Sequence, residues 1–165
     1  MDDGENNEYS RAPELEDVIS LCRSLNEQGV KYVLIGGFAV IFQGVSRFTK
    51  DVDLLLDTSL ENVKKLKKAM STLTDNAISE IEDDEIAKYT VVRVADEFVI
   101  DLMAKACGID FEEASKHIEF KTVKGVQIPV PSKEMLIRMK DTIRHSDKLD
   151  VYYLKHEIGK EKKKP

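Results

Sequence analysis

From Pro13 to Gln28 the apolar residues Leu15, Val18, Ile19, Cys22 and Leu25 recur at three- and four-residue spacing. That period predicts an amphipathic helix, with Leu21 at the margin of its buried stripe. Gly29 is placed to cap it. "KYVLI" then reads as a short strand ended by the Gly36-Gly37 pair, and "FAVIFQG" as a short apolar helix stopped by Gly44. "DVDLLLD" predicts the next strand. Ser59 is positioned to cap a helix over "LENVKKLKKAMSTL", whose lysines fall on the wet side.

The second half is less regular. "NAISEIEDDEIAKY" carries no clean period, whereas "YTVVRVA" and "EFVIDLMA" predict two strands joined by a tight turn near Asp96. Asp110 opens a short helix through His117. "IEFKTVKGVQIPVP" predicts a hairpin turning at Lys124-Gly125, with Pro129 and Pro131 confining its end. Ser132, with Met135 three positions on, supplies half a capping signal for a helix over "KEMLIRMKDTIRH". A last helix follows over "DKLDVYYLKHEI", leaving "GKEKKKP" to fray. The organisation expected is a flexible terminus over 1–11, one domain over 12–158 and a basic flexible tail over 159–165. With no repeat and no linker, the class is α+β.

Composition narrows this picture only slightly. A chain of 165 residues, 42% hydrophobic and 34% charged, has the make-up of a soluble domain with a substantial core. A net charge of −6 disfavours a non-specific nucleic-acid coat protein. No apolar run approaches the roughly 20 residues that span a bilayer, and "MDDGENNEYS" lacks the basic and apolar regions of a secretion signal. Cys22 and Cys107 suit neither a disulfide framework nor a zinc knuckle and read as buried thiols. A cytoplasmic location without membrane contact is expected. His117, His145 and His156 lack ligand spacing and read as structural or solvated. Phe38 and Phe42, at helical spacing, read as core rather than base-stacking.

The informative anomaly is Asp51 and Asp53 at the head of the apolar run Leu54-Leu55-Leu56. Side chains alternate along a strand, so both acids face one side while Val52 faces the other. Aspartate is depleted in strands and like charges on one face repel, so the arrangement needs a positive charge between them. Hard oxygen ligands suit magnesium, with manganese as second candidate. Asp101 lies in another apolar strand, "FVIDLMA", and three strand-borne acids can bracket one or two ions at a phosphoryl-transfer centre. Each feature taken alone is commonplace; a strand-end aspartate is usually solvated and a glycine pair is usually a turn.

Together, Gly36, Gly37, Thr49, Asp51, Asp53 and Asp101 resemble the nucleotidyltransferase superfamily of the DNA polymerase β type. More closely, they resemble its small prokaryotic branch of minimal nucleotidyltransferases and abortive-infection toxins. Lys140, Arg144, Asp147 and Asp150 resemble the same branch, although Ser146 stands where the family usually has lysine. The resemblance spans about residues 30–155. It implies a small mixed sheet with helices packed on it and a C-terminal helical pair. It further implies metal held by Asp51, Asp53 and Asp101, and a nucleoside triphosphate bound by Gly36, Gly37, Arg47, Thr49, Lys50 and Lys140. A nucleotidyl group, ATP being one donor, would pass to an acceptor hydroxyl on tRNA, protein or a small molecule. Arg47 and Lys50 read equally as surface charges softening the acidic cluster, and Lys140 as the edge of a packed face. Two alternatives stay open: an inactive nucleotide-binding module within a toxin–antitoxin pair or homo-oligomer, and a plain structural domain with accidental acids.

Overall fold

Four strands run in the order β1-β2-β4-β3, where β1 is Tyr32–Ile35, β2 Asp51–Leu56, β3 Val92–Ala95 and β4 Val99–Met103. The computed structural model describes residues 10–163. β2 pairs antiparallel with β1 and parallel with β4, while β3 closes the far edge antiparallel to β4. The small mixed α+β sheet read from the sequence is therefore present. Its central strands are apolar apart from the acids: Val52, Leu54, Leu55, Ile100 and Leu102 are fully buried.

Helix α1 (Leu15–Glu27) packs against α3 (Leu60–Met70) and against β8 (Val126–Pro131), which lies along β1. Its stripe differs from the expected one by one step: Leu21 is buried and Leu15 is 44% exposed. Leu15 is the first helical residue, at the margin of the packed surface. Gly29 ends α1 at φ +69, its N–H bonded to the Asn26 carbonyl. Ser59 caps α3 through the Asn62 N–H, and Ser132 caps α6 (Lys133–Met139) through that of Met135. The hairpin of β7 (Ile118–Val123) and β8 turns at Lys124-Gly125, both at positive φ, the geometry that matches strand twist.

Four expectations need correction. Gly36-Gly37 does more than end β1: it forms the first two residues of α2 (Gly36–Phe42). The helix read over 133–145 breaks after Met139, because Lys140 turns inward to reach Asp150; α7 then starts at His145. α7 (His145–Lys162) continues past Ile158, where fraying was expected, helped by ion pairs Glu157–Lys160 and Lys133–Glu161. Cys22 is buried, and burial pushes its thiol up to about 12, but Cys107 is exposed at φ +48 in the turn between β5 (Lys105–Ala106) and β6 (Ile109–Asp110).

Of the terminus read as flexible, residues 1–9 lie outside the described residues, as do 164 and 165 of the tail. Ser10 and Arg11 are tied to the β3–β4 turn, by Ser10 Oγ donating to the Asp96 carbonyl and Arg11 pairing with Asp17 and Glu97. The region that resisted reading holds a 3₁₀ turn at Ala77–Glu80 and one turn of helix, α4, at Glu85–Lys88. α5 (Phe111–Ala114) opens at Asp110 as expected. Phe38 is buried, Phe42 packs on the core, and the three histidines are exposed.

The Asp96 carboxylate, only 2% exposed, accepts the N–H groups of Asp75, Ala77 and Glu97 and so anchors the irregular segment to the β3–β4 turn. Asp96→Ala leaves those donors unpaired and is expected to cost about 2–4 kcal/mol. Urea denaturation checks this.

Candidate active site

Asp53 sits directly beside Asp101 across the parallel β2–β4 pair, and Arg93 beside Asp101 across the antiparallel β3–β4 pair. Register alone thus brings Asp51, Asp53, Asp101 and Arg93 to one face of the sheet. Asp101 is 6% exposed, whereas Asp51 and Asp53 are half-buried at the cleft floor. Arg93 grips Asp101 with two bonds, Nε to Oδ1 at 2.9 Å and Nη2 to Oδ2 at 3.1 Å, and reaches Asp51 Oδ2 at 3.3 Å. This is the positive charge that the acids demanded, and it is a guanidinium.

Asp53 lacks that compensation. Burial, then the neighbouring Asp101 and Asp51, push its carboxyl up to about 7, against the weaker pull of Lys140 and Arg93. Asp51 is raised as well, by burial first and by Asp101 second. The glycine pair has a steric reason to be here. Gly36 adopts φ +70, and a Cβ on it would lie 1.9 Å from Asp53 Oδ2; one on Gly37 would lie 2.5 Å from Thr49 Oγ1. Both glycines make room for side chains of the acidic strand and the segment before it. Thr49 in turn donates to the Asp51 carbonyl at 3.3 Å.

A second polar group closes the other side of the cleft. Lys140, buried where α6 ends, contacts Asp150 at 2.8 Å and Asp147 at 3.5 Å. Arg47 pairs with Asp150; Arg144 and Thr142 hold Asp147, with Nε–Oδ2 at 2.8 Å and Oγ1–Oδ2 at 2.5 Å. Burial works to raise the Asp147 carboxyl, but the hydrogen bonds from Arg144 and Thr142 and the Lys140 charge outweigh it and leave it below its usual range. The resulting cleft, of about 1000 Å³, is lined by Gly37, Arg47, Thr49, Lys50, Asp51, Asp53, Asp101 and Lys140. Of the residues singled out in the sequence for the site, Gly36 and Asp150 are absent from that lining: Gly36 lies behind Asp53, and Asp150 pairs with Arg47 and Lys140 of the wall. Lys50 is exposed at the rim.

Sequence reasoning passed over four lining residues, Phe48, Val91, Arg93 and Met103. Arg93 had a legible signal, since it is the one charge in "VVRVA" and alternation puts it opposite Val92 and Val94. Phe48, 70% exposed, carried none that distinguishes it from core. Among the described residues no three His, Cys, Asp or Glu side chains stand in ion-holding geometry. The gap among the acids is bridged by Arg93. In kind, however, Asp51, Asp53 and Asp101 offer the hard oxygens that a divalent ion takes, and positive charge is shortest at Asp53.

A crystal structure from Thermotoga maritima, described provisionally as that of a nucleotidyltransferase, matches this fold with a TM-score of 0.52. The match has 17% identity and covers 90% of each chain. No curated protein matches. The model of the nucleotidyl transferase AbiEii toxin family, type IV toxin–antitoxin system, matches residues 19–152, and the chain belongs to that family. It is a nucleotidyltransferase. Among the described residues no helix is long and apolar enough to cross a membrane.

The raised carboxyl of Asp53 fixes a sign. A carboxyl whose folded pKa exceeds its unfolded value of about 3.9 contributes stability that is whole in acid and is lost as pH rises through about 7. Asp53→Asn is therefore expected to raise the Tm of the metal-free protein at pH 8 by about 2–4 °C per kcal/mol recovered, and to change little at pH 4. Thermal melts in chelator at the two pH values check this.

Proposed function

We propose that the chain moves a nucleotidyl group from a nucleoside triphosphate to an acceptor hydroxyl, releasing pyrophosphate, with Asp51, Asp53 and Asp101 holding magnesium or manganese. The observation that supports this most is the convergence of three carboxylates, from two adjacent parallel strands, on the floor of a cleft whose opposite wall is cationic. A divalent ion bound there supplies charge neutralisation for the triphosphate and its leaving group. The chain's own residues do the rest. Asp51 and Asp53 present oxygens at the cleft floor, and the α2 amide groups after Gly36-Gly37 offer N–H donors to phosphate oxygens. Arg47, Lys50 and Lys140 place positive charge along the wall; Thr49 holds the backbone at Asp51 in register.

In the reaction the acceptor oxygen forms a bond to the α-phosphorus, the bond from that phosphorus to the β-bridging oxygen breaks, and the hydroxyl proton passes to Asp101. The electron pair leaves with pyrophosphate, whose charge the cationic wall receives. The family's description, a toxin of a toxin–antitoxin system, supports an antitoxin as the protein's counterpart; the acceptor hydroxyl belongs to RNA, protein or a small molecule.

Incubation with each α-labelled triphosphate, a divalent ion and total cellular RNA and protein tests the proposal. Wild-type protein is expected to label an acceptor, and Asp51→Ala to reduce labelling by at least 100-fold. Equal labelling by the variant, or none with any of the four nucleotides, contradicts the reading.

A further inference from the structure

Arg93 fills, with one guanidinium, the place that a divalent ion would take among the acids. Its bonds to Asp101 and Asp51 use carboxylate oxygens that face the same gap. The geometry points to Arg93 as a resident placeholder cation: it stabilises the carboxylate cluster in the metal-free protein and must leave Asp101 and Asp51 before a divalent ion can be ligated there. This inference rests on the metal site proposed above. Two features make displacement feasible. Asp101 is buried and fixed by its strand, whereas the Arg93 side chain is 41% exposed and borders the open cleft. The movable partner is thus the arginine. A guanidinium and a divalent ion on the same carboxylates repel strongly, so the two occupancies exclude one another.

A structural alternative exists, in which Arg93 merely pins β3 to β4. The two readings part on metal affinity. If Arg93 only pins strands, its removal loosens the site and weakens ion binding. If it competes with the ion, its removal strengthens binding while destabilising the metal-free fold, because Asp101 loses its partner.

The probe is Mn²⁺ alone, titrated without nucleotide and followed by the EPR signal of the free ion. Arg93→Met is expected to bind about 10-fold more tightly than wild type, a difference of about 1.4 kcal/mol. Arg93→Lys, whose point charge lacks the fork that bridges two carboxylates, should lie between. In wild-type protein labelled with ¹⁵N, the Arg93 Nε–H resonance is expected to shift and exchange faster with water on saturation with Mg²⁺. Equal or weaker Mn²⁺ binding by the variants, or an Nε–H signal unmoved by saturating Mg²⁺, overturns the placeholder and leaves the metal site standing. Absence of Mn²⁺ binding by every protein, including wild type, overturns both. Should Arg93→Met not fold, the lysine variant and the wild-type resonance decide.

Discussion

Two carboxylates cannot share a strand face, with a third beside them on the next strand, unless positive charge stands among them. That constraint organises the cleft. It accounts for Arg93 at the one β3 position directly opposite Asp101, and for a glycine at position 36, where any Cβ would occupy the space of the Asp53 carboxyl. The compensation is uneven. Asp101 has a bidentate partner and Asp51 a shared one, while Asp53 is left with a carboxyl pushed up to about 7. A site balanced without a metal would hold its charges in pairs; this one has a deficit on a specific side chain.

The C-terminal helix obeys the same logic from the other side. α7 buries Asp147, Asp150 and Leu154, a stripe at i, i+3 and i+7 made mostly of acid. Lys140 and Arg47 tie it to the rest of the fold through Asp150 and Asp147, while Thr142 and Arg144, its own N-cap residue, hold Asp147 from the side. Buried pairs of this kind contribute less net stability than their number implies, because each charge is desolvated. They do fix where the charges stand. Arg47 and Lys140 are held at the cleft wall by a shared aspartate, so the wall opposite the acids is set before any substrate arrives.

Much of this was legible from residue order. Alternation through "DVDLLL" and "VIDLM" placed the acids on strands, and the demand for a cation between them followed from charge alone. What the order could not supply was register. Nothing local states that position 53 pairs with 101, or that 93 pairs with 101, because pairing depends on how β3 and β4 lie against β2. The break after Met139 was hidden for a related reason: "KEMLIRMKDTIRH" keeps a helical period, and only the distant Asp150 draws Lys140 inward. The 76–89 segment stayed unreadable because its buried Ile78, Ile81 and Ile86 are spread over a 3₁₀ turn, a bend and a single helical turn, and its start is fixed by the distant Asp96 carboxylate.

Crystals grown with Mn²⁺ and a non-hydrolysable triphosphate give the most direct test, by anomalous scattering at the manganese edge. The account predicts a peak about 2.0–2.3 Å from oxygens of both Asp51 and Asp53, with the α-phosphate beside it and Arg93 withdrawn from Asp101. A peak elsewhere, or an acidic cluster with Arg93 still clasped to Asp101 and no ion, contradicts it.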